Sequence, residues 1–237
     1  GILHTTGGYL THVTATTKWI FDLKDEDTYW CSADIGWVTG HSYIVYGPLS
    51  NGATSVMYEG TLDYPAFDRW WRLGEKYRVN ILYTSPTAIR ALIRQGDHWP
   101  EGHDLSSLRK CVSAGEALPA ATRTLWKQAS GIEMIDGIGS TEMLHIFISN
   151  RPGQVRYGTT GQPVPGYDIR LVAEDGREAA VGEIGEICCR GPAVFAGYHD
   201  NPEATAKALR GGWFHTGDLG RLDARGLLTI TGRESDM

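Results

Sequence analysis

Asp136-Gly137-Ile138-Gly139-Ser140-Thr141-Glu142 decides how the rest of the chain is read. The apolar run Ile132-Glu133-Met134-Ile135 before it predicts a short buried strand. Two glycines then suit a sharp turn and a close approach of backbone to a ligand. The hydroxyl of Thr141 and the carboxylate of Glu142 follow, a pair suited to a phosphate oxygen and a hard cation such as Mg2+. Asp136 closes the strand, where open α/β sheets place their ligand groups. The same residues also fit a strand-to-loop turn with a solvated acid, and the pattern alone does not separate the two.

Flanking segments supply the fold. Helices are expected over 9–21, 65–77, 86–95 and 119–129, and strands over 29–33, 53–58, 79–84 and 109–113. Pro86 suits the first turn of its helix. This alternation predicts an α/β domain, a mainly parallel sheet with covering helices. Texture changes near Gly158, where the Pro/Gly loop at 159–166 gives way to short strands with turn signals between them. Asn201 and Pro202 read as the cap and first residue of a short helix. The expected division is therefore an α/β part over 1–157 and a β-rich, distorted barrel-like subdomain over 158–237.

Composition narrows the function classes. A net charge of −6 and a pI near 5.7 argue against nucleic acid, whose binders carry a basic face. No apolar run is long enough for a membrane span, and no charged-then-apolar start suggests secretion. Cys31, Cys111, Cys188 and Cys189 lack metal-ligand spacing, and a reduced, cytoplasmic setting is expected. Adjacent Cys188 and Cys189 would point to opposite faces of a strand as small packing residues. Glu142-Met143-Leu144-His145 has the Glu-x-x-His spacing of di-iron bundles, but that chemistry needs a second copy and none occurs. The start at Gly1 and the end at Met237, directly after a motif, both read as cut.

A second stretch, Trp213-Phe214-His215-Thr216-Gly217-Asp218-Leu219-Gly220, is followed by Gly226-Leu227-Leu228-Thr229-Ile230-Thr231-Gly232-Arg233. With the central motif these resemble the adenylate-forming, AMP-binding enzymes: acyl-CoA synthetases, adenylation domains of peptide synthetases, and luciferases. Three ordered matches are more specific than any one, and the resemblance spans essentially the whole chain. It implies part of the large domain of such an enzyme, with ATP, Mg2+ and coenzyme A as its small-molecule partners beside a carboxylic acid. The Ser/Thr/Gly-rich phosphate loop would lie just upstream of Gly1, and the C-terminal domain with its adenylation lysine would begin past Met237.

The resemblance also implies roles. Glu142 would hold Mg2+ and Thr141 a phosphate oxygen. Asp218 would accept from the ribose hydroxyls, since an ionised carboxylate takes two such bonds. Arg233 would contact the same nucleotide. Gly115, Glu116 and Ala117 would wrap the adenine edge, with Ala117 departing from the proline usual in acetate enzymes. Asp136, Gly137 and Ile138 would border the nucleotide, Ile138 replacing an aromatic ring. Trp37, Val38 and Thr39 would line the acyl pocket, although core packing is an equal reading for Trp37. Ser235 would be the hinge, where relatives carry Asp or Lys. A carboxylate is already nucleophilic, so adenylation needs alignment and charge stabilisation and no general base.

The acid is expected to be medium-chain or aromatic. The N-terminal half resembles acetate ligases and 136–150 resembles aryl-acid ligases; Gly139 replaces the tryptophan that walls the acetate pocket, and Ala114 replaces a valine. An acetate or propionate ligase is the alternative, and a non-catalytic nucleotide-binding or interaction fragment is the alternative of another class. The chain alone is expected to make no acyl-CoA.

Overall fold

The structure, a computed structural model, describes residues 1–96, 98–116 and 118–234. In chain order its strands are β1 (Ile2–Leu3), β2 (Thr28–Cys31), β3 (Thr54–Val56), β4 (Ile81–Thr84), β5 (Lys110–Ser113), β6 (Met134–Ser140), β7 (His145–Ser149), β8 (Gln162–Pro163), β9 (Asp168–Val172), β10 (Gly185–Arg190), β11 (Gly197–Tyr198), β12 (Leu209–Arg210), β13 (Trp213–Leu222) and β14 (Leu228–Arg233). Contacts divide the chain into one compact unit, Val13–Gly137, and a second made of Gly1–His12 with Ile138–Met237. The β6–β7 segment thus groups with the β-rich residues, upstream of the change in texture near Gly158.

The Val13–Gly137 unit is the expected parallel α/β sheet. Its strands run in the order β3-β2-β4-β5-β6, every neighbouring pair parallel. Residues of β4 and β5 are buried on both faces; β4 reads Ile-Leu-Tyr-Thr without alternation, whereas β5 keeps Cys111 and Val112 between a buried Lys110 and Ser113. The Pro86–Arg94 helix starts as its sequence predicts, with Ser85 accepting the Ala88 N–H at 3.2 Å and Pro86 in the first turn. The expected helix over 65–77 is shorter, Arg69–Lys76. Trp70 and Trp71 are both buried there, their rings 5.9 and 5.5 Å from Trp126 on the Ala120–Ser130 helix. Trp30 from β2 closes the cluster, 6.2 Å from Trp70. Indoles of this size dominate a core's apolar burial, and neither helical tryptophan is left to stack on a ligand.

The same unit holds a buried ion pair. Arg123 on the Ala120–Ser130 helix sits 3.4 Å from Asp136 at the end of β6, with side-chain exposures of 1% and 5%. Burial pushes the Asp136 carboxyl up from 3.8 to about 7, against the pull of Arg123 and of the Gly137 and Leu118 amides.

The second unit is β-rich. β12-β13-β10-β9 form an antiparallel sheet with β14 on β13, β7 pairs β8, and β1 pairs β11. The strands expected over 167–173 and 182–190 pair as anticipated. Asn201 caps the Pro202–Ala208 helix, accepting the Ala204 N–H at 3.0 Å. Cys188 and Cys189 are both fully buried.

Two histidines are buried in this unit. The His12 ring nitrogen lies 2.9 Å from the Tyr167 hydroxyl, and His145 opens β7. Burial lowers His12 to about 4 and His145 to about 3, each neighbouring imidazole adding to the effect. A histidine depressed in the fold contributes stability above its unfolded value of 6.5, and that contribution is lost as pH falls toward the folded value. Taking the chain from about pH 7 to pH 5 should cost about 2 kcal/mol per histidine. Urea unfolding of wild type and His12→Gln at both pH values checks this: the variant should lose less on acidification.

Candidate active site

β13 is where the second motif acquires its shape. Glu186 on β10 pairs with Leu219, and Cys188 pairs with His215. Between those pairs β10 supplies only Ile187, whereas β13 supplies Thr216, Gly217 and Asp218; the T-G-D residues therefore form a bulge. Gly217 adopts φ +71°, a conformation that costs glycine little. The Thr216 hydroxyl donates to the Ile187 carbonyl at 2.8 Å and accepts the Asp218 N–H at 3.0 Å. Glu186 Oε1 accepts the Gly217 N–H at 3.1 Å. Each residue of the motif thus has a mechanical part in holding Asp218.

The carboxylate so held pairs with Arg233, its cross-strand neighbour on β14, Nε to Oδ1 at 3.0 Å. Burial raises the Asp218 carboxyl, the charges of Glu142 and Glu186 add to that rise, and Arg233 opposes it. Asp218 thus feels Glu142, 76 positions away in the chain.

Glu142 lies in a 3-10 turn, Thr141–Met143. Tyr198 donates its hydroxyl to Glu142 Oε1 at 2.9 Å, and the Phe195 N–H donates to the Glu142 carbonyl at 2.9 Å. Burial and this bond raise the Tyr198 phenol to about 12, so it stays a donor. His4 Nε2 meets the Thr141 carbonyl at 2.8 Å. Tyr198 and His4 were not singled out from the sequence, where nothing in the spacing ties either to Glu142. Thr141 itself is exposed and Glu142 half-buried. An oxygen-only carboxylate on a turn fits a hard cation such as Mg2+.

One expectation about the central motif is corrected. Gly137 and Gly139 do not make a turn, because β6 runs extended through Ser140. The turn comes later, at Leu144 (φ +62°) and His145 (φ +128°). A Cβ at Gly139 would fall 2.2 Å from the His145 carbonyl carbon and oxygen. The close approach that this glycine permits is thus to the protein's own backbone. Gly139→Ala should accordingly destabilise the fold by about 1–3 kcal/mol, read from its urea midpoint.

In the Val13–Gly137 unit, the remaining residues are placed as follows. Trp37 is 72% exposed, so the core-packing reading does not hold for it. Val38 opens a helical stretch, Val38–Gly40, continued by the π-helical His41–Tyr46, and Thr39 hydrogen-bonds the Tyr83 side chain. Ser113 and Ala114 are buried where β5 ends, and exposed Gly115 follows at φ +104°. Both oxygens of Glu116 accept from Arg90 at 3.1 Å, and Thr87 donates to it as well. Those bonds outweigh desolvation and hold its carboxyl below the usual range. Asp136 faces Arg123 in the interior, at odds with a side chain presented to a ligand. Ala117 and Ser235 lie outside the described residues.

The AMP-binding enzyme family matches residues 1–199, and the chain belongs to that family. It is 46% identical over its whole length to an acetyl-coenzyme A synthetase of Rubrobacter xylanophilus and 43% identical to one of Pyrobaculum aerophilum. It spans 38% and 37% of those relatives. Among solved structures it is similar to an anthranilate CoA ligase in complex with anthranoyl-AMP, with TM-score 0.91, 36% identity, and coverage of all of this chain and 45% of that one. A benzoate CoA ligase from Burkholderia xenovorans gives 0.88 and 34%, covering 99% of this chain and 47% of that one. No described helix is long and apolar enough to cross a membrane.

Proposed function

We propose that this chain is the AMP-binding part of an acid–CoA ligase, which joins a carboxylic acid to AMP and then to coenzyme A. The observation that carries the reading is the convergence of Glu142, Asp218 and Arg233 in one unit, with Asp218 held on a bulge and paired to Arg233 at 3.0 Å. Asp218 accepts from the ribose hydroxyls, and Arg233 supplies a charge-assisted contact to the same nucleotide. Thr141 donates to a phosphate oxygen. Glu142, oriented by Tyr198, holds Mg2+, which offsets phosphate charge when bound. The resemblance assigns an adenine contact to Gly115 and contacts with the acid to Trp37, Val38 and Thr39.

The acid is medium-chain or aromatic on this reading, supported by Ala114 and the likeness to aryl-acid CoA ligases. The acetyl-coenzyme A synthetases among its relatives favour acetate as the second reading. A chimera decides between them. This chain would replace the matching segment of the Rubrobacter xylanophilus protein, and pyrophosphate release would be followed across acetate, hexanoate and benzoate. Release with hexanoate or benzoate above acetate is expected; acetate preference would overturn the acid assignment and leave the ligase reading intact.

A further inference from the structure

The geometry points to a second cation site on the β-rich sheet, formed by Glu186, Cys188 and His215, for a zinc-class divalent ion. Glu186 and Cys188 are two apart on β10, while His215 stands opposite Cys188 on β13. The bulge that follows His215 lets its ring reach both. Nδ1 lies 2.7 Å from Glu186 Oε2 and 3.2 Å from Cys188 Sγ. All three donor atoms fall within 4.8 Å of one another, the one such group among the described residues.

Without an ion, a single proton on Nδ1 is at best shared in a forked bond between the carboxylate oxygen and the sulfur, which also accepts. A divalent ion among the three atoms would replace that shared contact with three bonds, releasing the thiol proton as the metal–sulfur bond forms. A thiolate, an imidazole and a carboxylate form the mixed set that zinc takes, with a fourth position for water. Zn–N, Zn–O and Zn–S bonds of roughly 2.0–2.3 Å would open the present separations by about half an ångström.

The surroundings are built for the purpose. Cys188 is fully buried, and the His215 and Glu186 side chains are 8% and 13% exposed. The other Glu186 oxygen is pinned by the Gly217 N–H. Two guanidiniums border the site, and a bound ion must displace both: Arg210 reaches Glu186 Oε2 at 3.4 Å while also donating to the Lys207 carbonyl, and the Arg170 side chain hydrogen-bonds Cys188. This site is separate from Glu142, and because Glu186 and His215 flank the T-G-D bulge, a bound ion would stiffen the turn that carries Asp218.

The chain itself can be tested, stripped of metal by a chelator and kept reduced. Titration with Co2+ should saturate at one equivalent and give a near-ultraviolet thiolate-to-cobalt band, displaced by Zn2+. Cys188→Ser should abolish the band, and His215→Gln should weaken Co2+ binding by at least about tenfold. Should Cys188→Ser fail to fold by circular dichroism, Glu186→Gln provides the other arm: the band persists while affinity drops. No band in wild type, an unaltered band in Cys188→Ser, or unchanged affinity in His215→Gln or Glu186→Gln would overturn the site.

Discussion

Asp218→Ala is expected to raise the ATP KM of the chimera by about 10–100-fold, following from a loss of about 1.5–3 kcal/mol for each hydrogen bond to a charged acceptor. Folding should barely change. The Asp218–Arg233 pair joins a shielded carboxylate to an arginine that is 61% exposed, and such pairs stabilise little. The bulge itself is held by Thr216, Gly217 and Glu186, none of which the substitution touches. The readout is therefore a KM change without a matching shift in the urea midpoint. A folded variant with an unchanged KM would remove Asp218 from the site. A midpoint that falls together with activity would make Asp218 a structural residue.

Arg123→Met should be the most damaging substitution for stability, at about 3–5 kcal/mol, because it strands a buried carboxylate. Its pH dependence is diagnostic. With Asp136 raised from 3.8 to about 7 in the fold, its contribution is complete below 3.8 and is lost as pH rises through 7. Removing Arg123 takes away the opposing pull, so the variant's loss should be larger at about pH 8 than at about pH 5. Pairing it with Asp136→Leu should restore most of the stability, since a buried pair replaced as a whole is often neutral. Urea titrations of the single and double variants at both pH values would show it. Equal losses at both pH values, or a double variant no better than the single, would mean that Asp136 and Arg123 do not act as a pair.

Legibility in the sequence followed the range of the physics involved. Strands and helices of the Val13–Gly137 unit could be read from their alternation along the chain, and Ser85-Pro86, like Asn201-Pro202 in the other unit, announces a helix start locally. The T-G-D and T-E motifs stood out because their residue types suit ligand chemistry, and the fold places Asp218 and Glu142 in one unit. The parts that could not be read depend on partners distant in sequence. Gly139 looked like ligand-facing freedom, but its neighbour is the His145 backbone, brought alongside by a turn at Leu144 that no glycine or proline signals. Asp136 looked like a ligand at a strand end, and only the Ala120–Ser130 helix shows that Arg123 claims it. Cys188 looked inert because metal spacing is a local pattern, whereas its neighbour His215 comes from the adjacent strand.

The ligase reading is tested most directly by calorimetric titration of this chain with an acyl-sulfamoyl adenosine, a stable mimic of an acyl-adenylate. One-to-one binding is expected, with affinity lowered in Asp218→Ala and with the benzoyl or hexanoyl mimic bound more tightly than the acetyl one. Absence of heat from every mimic with folded protein, or binding indifferent to Asp218, would contradict the assignment and leave an interaction fragment as the better account.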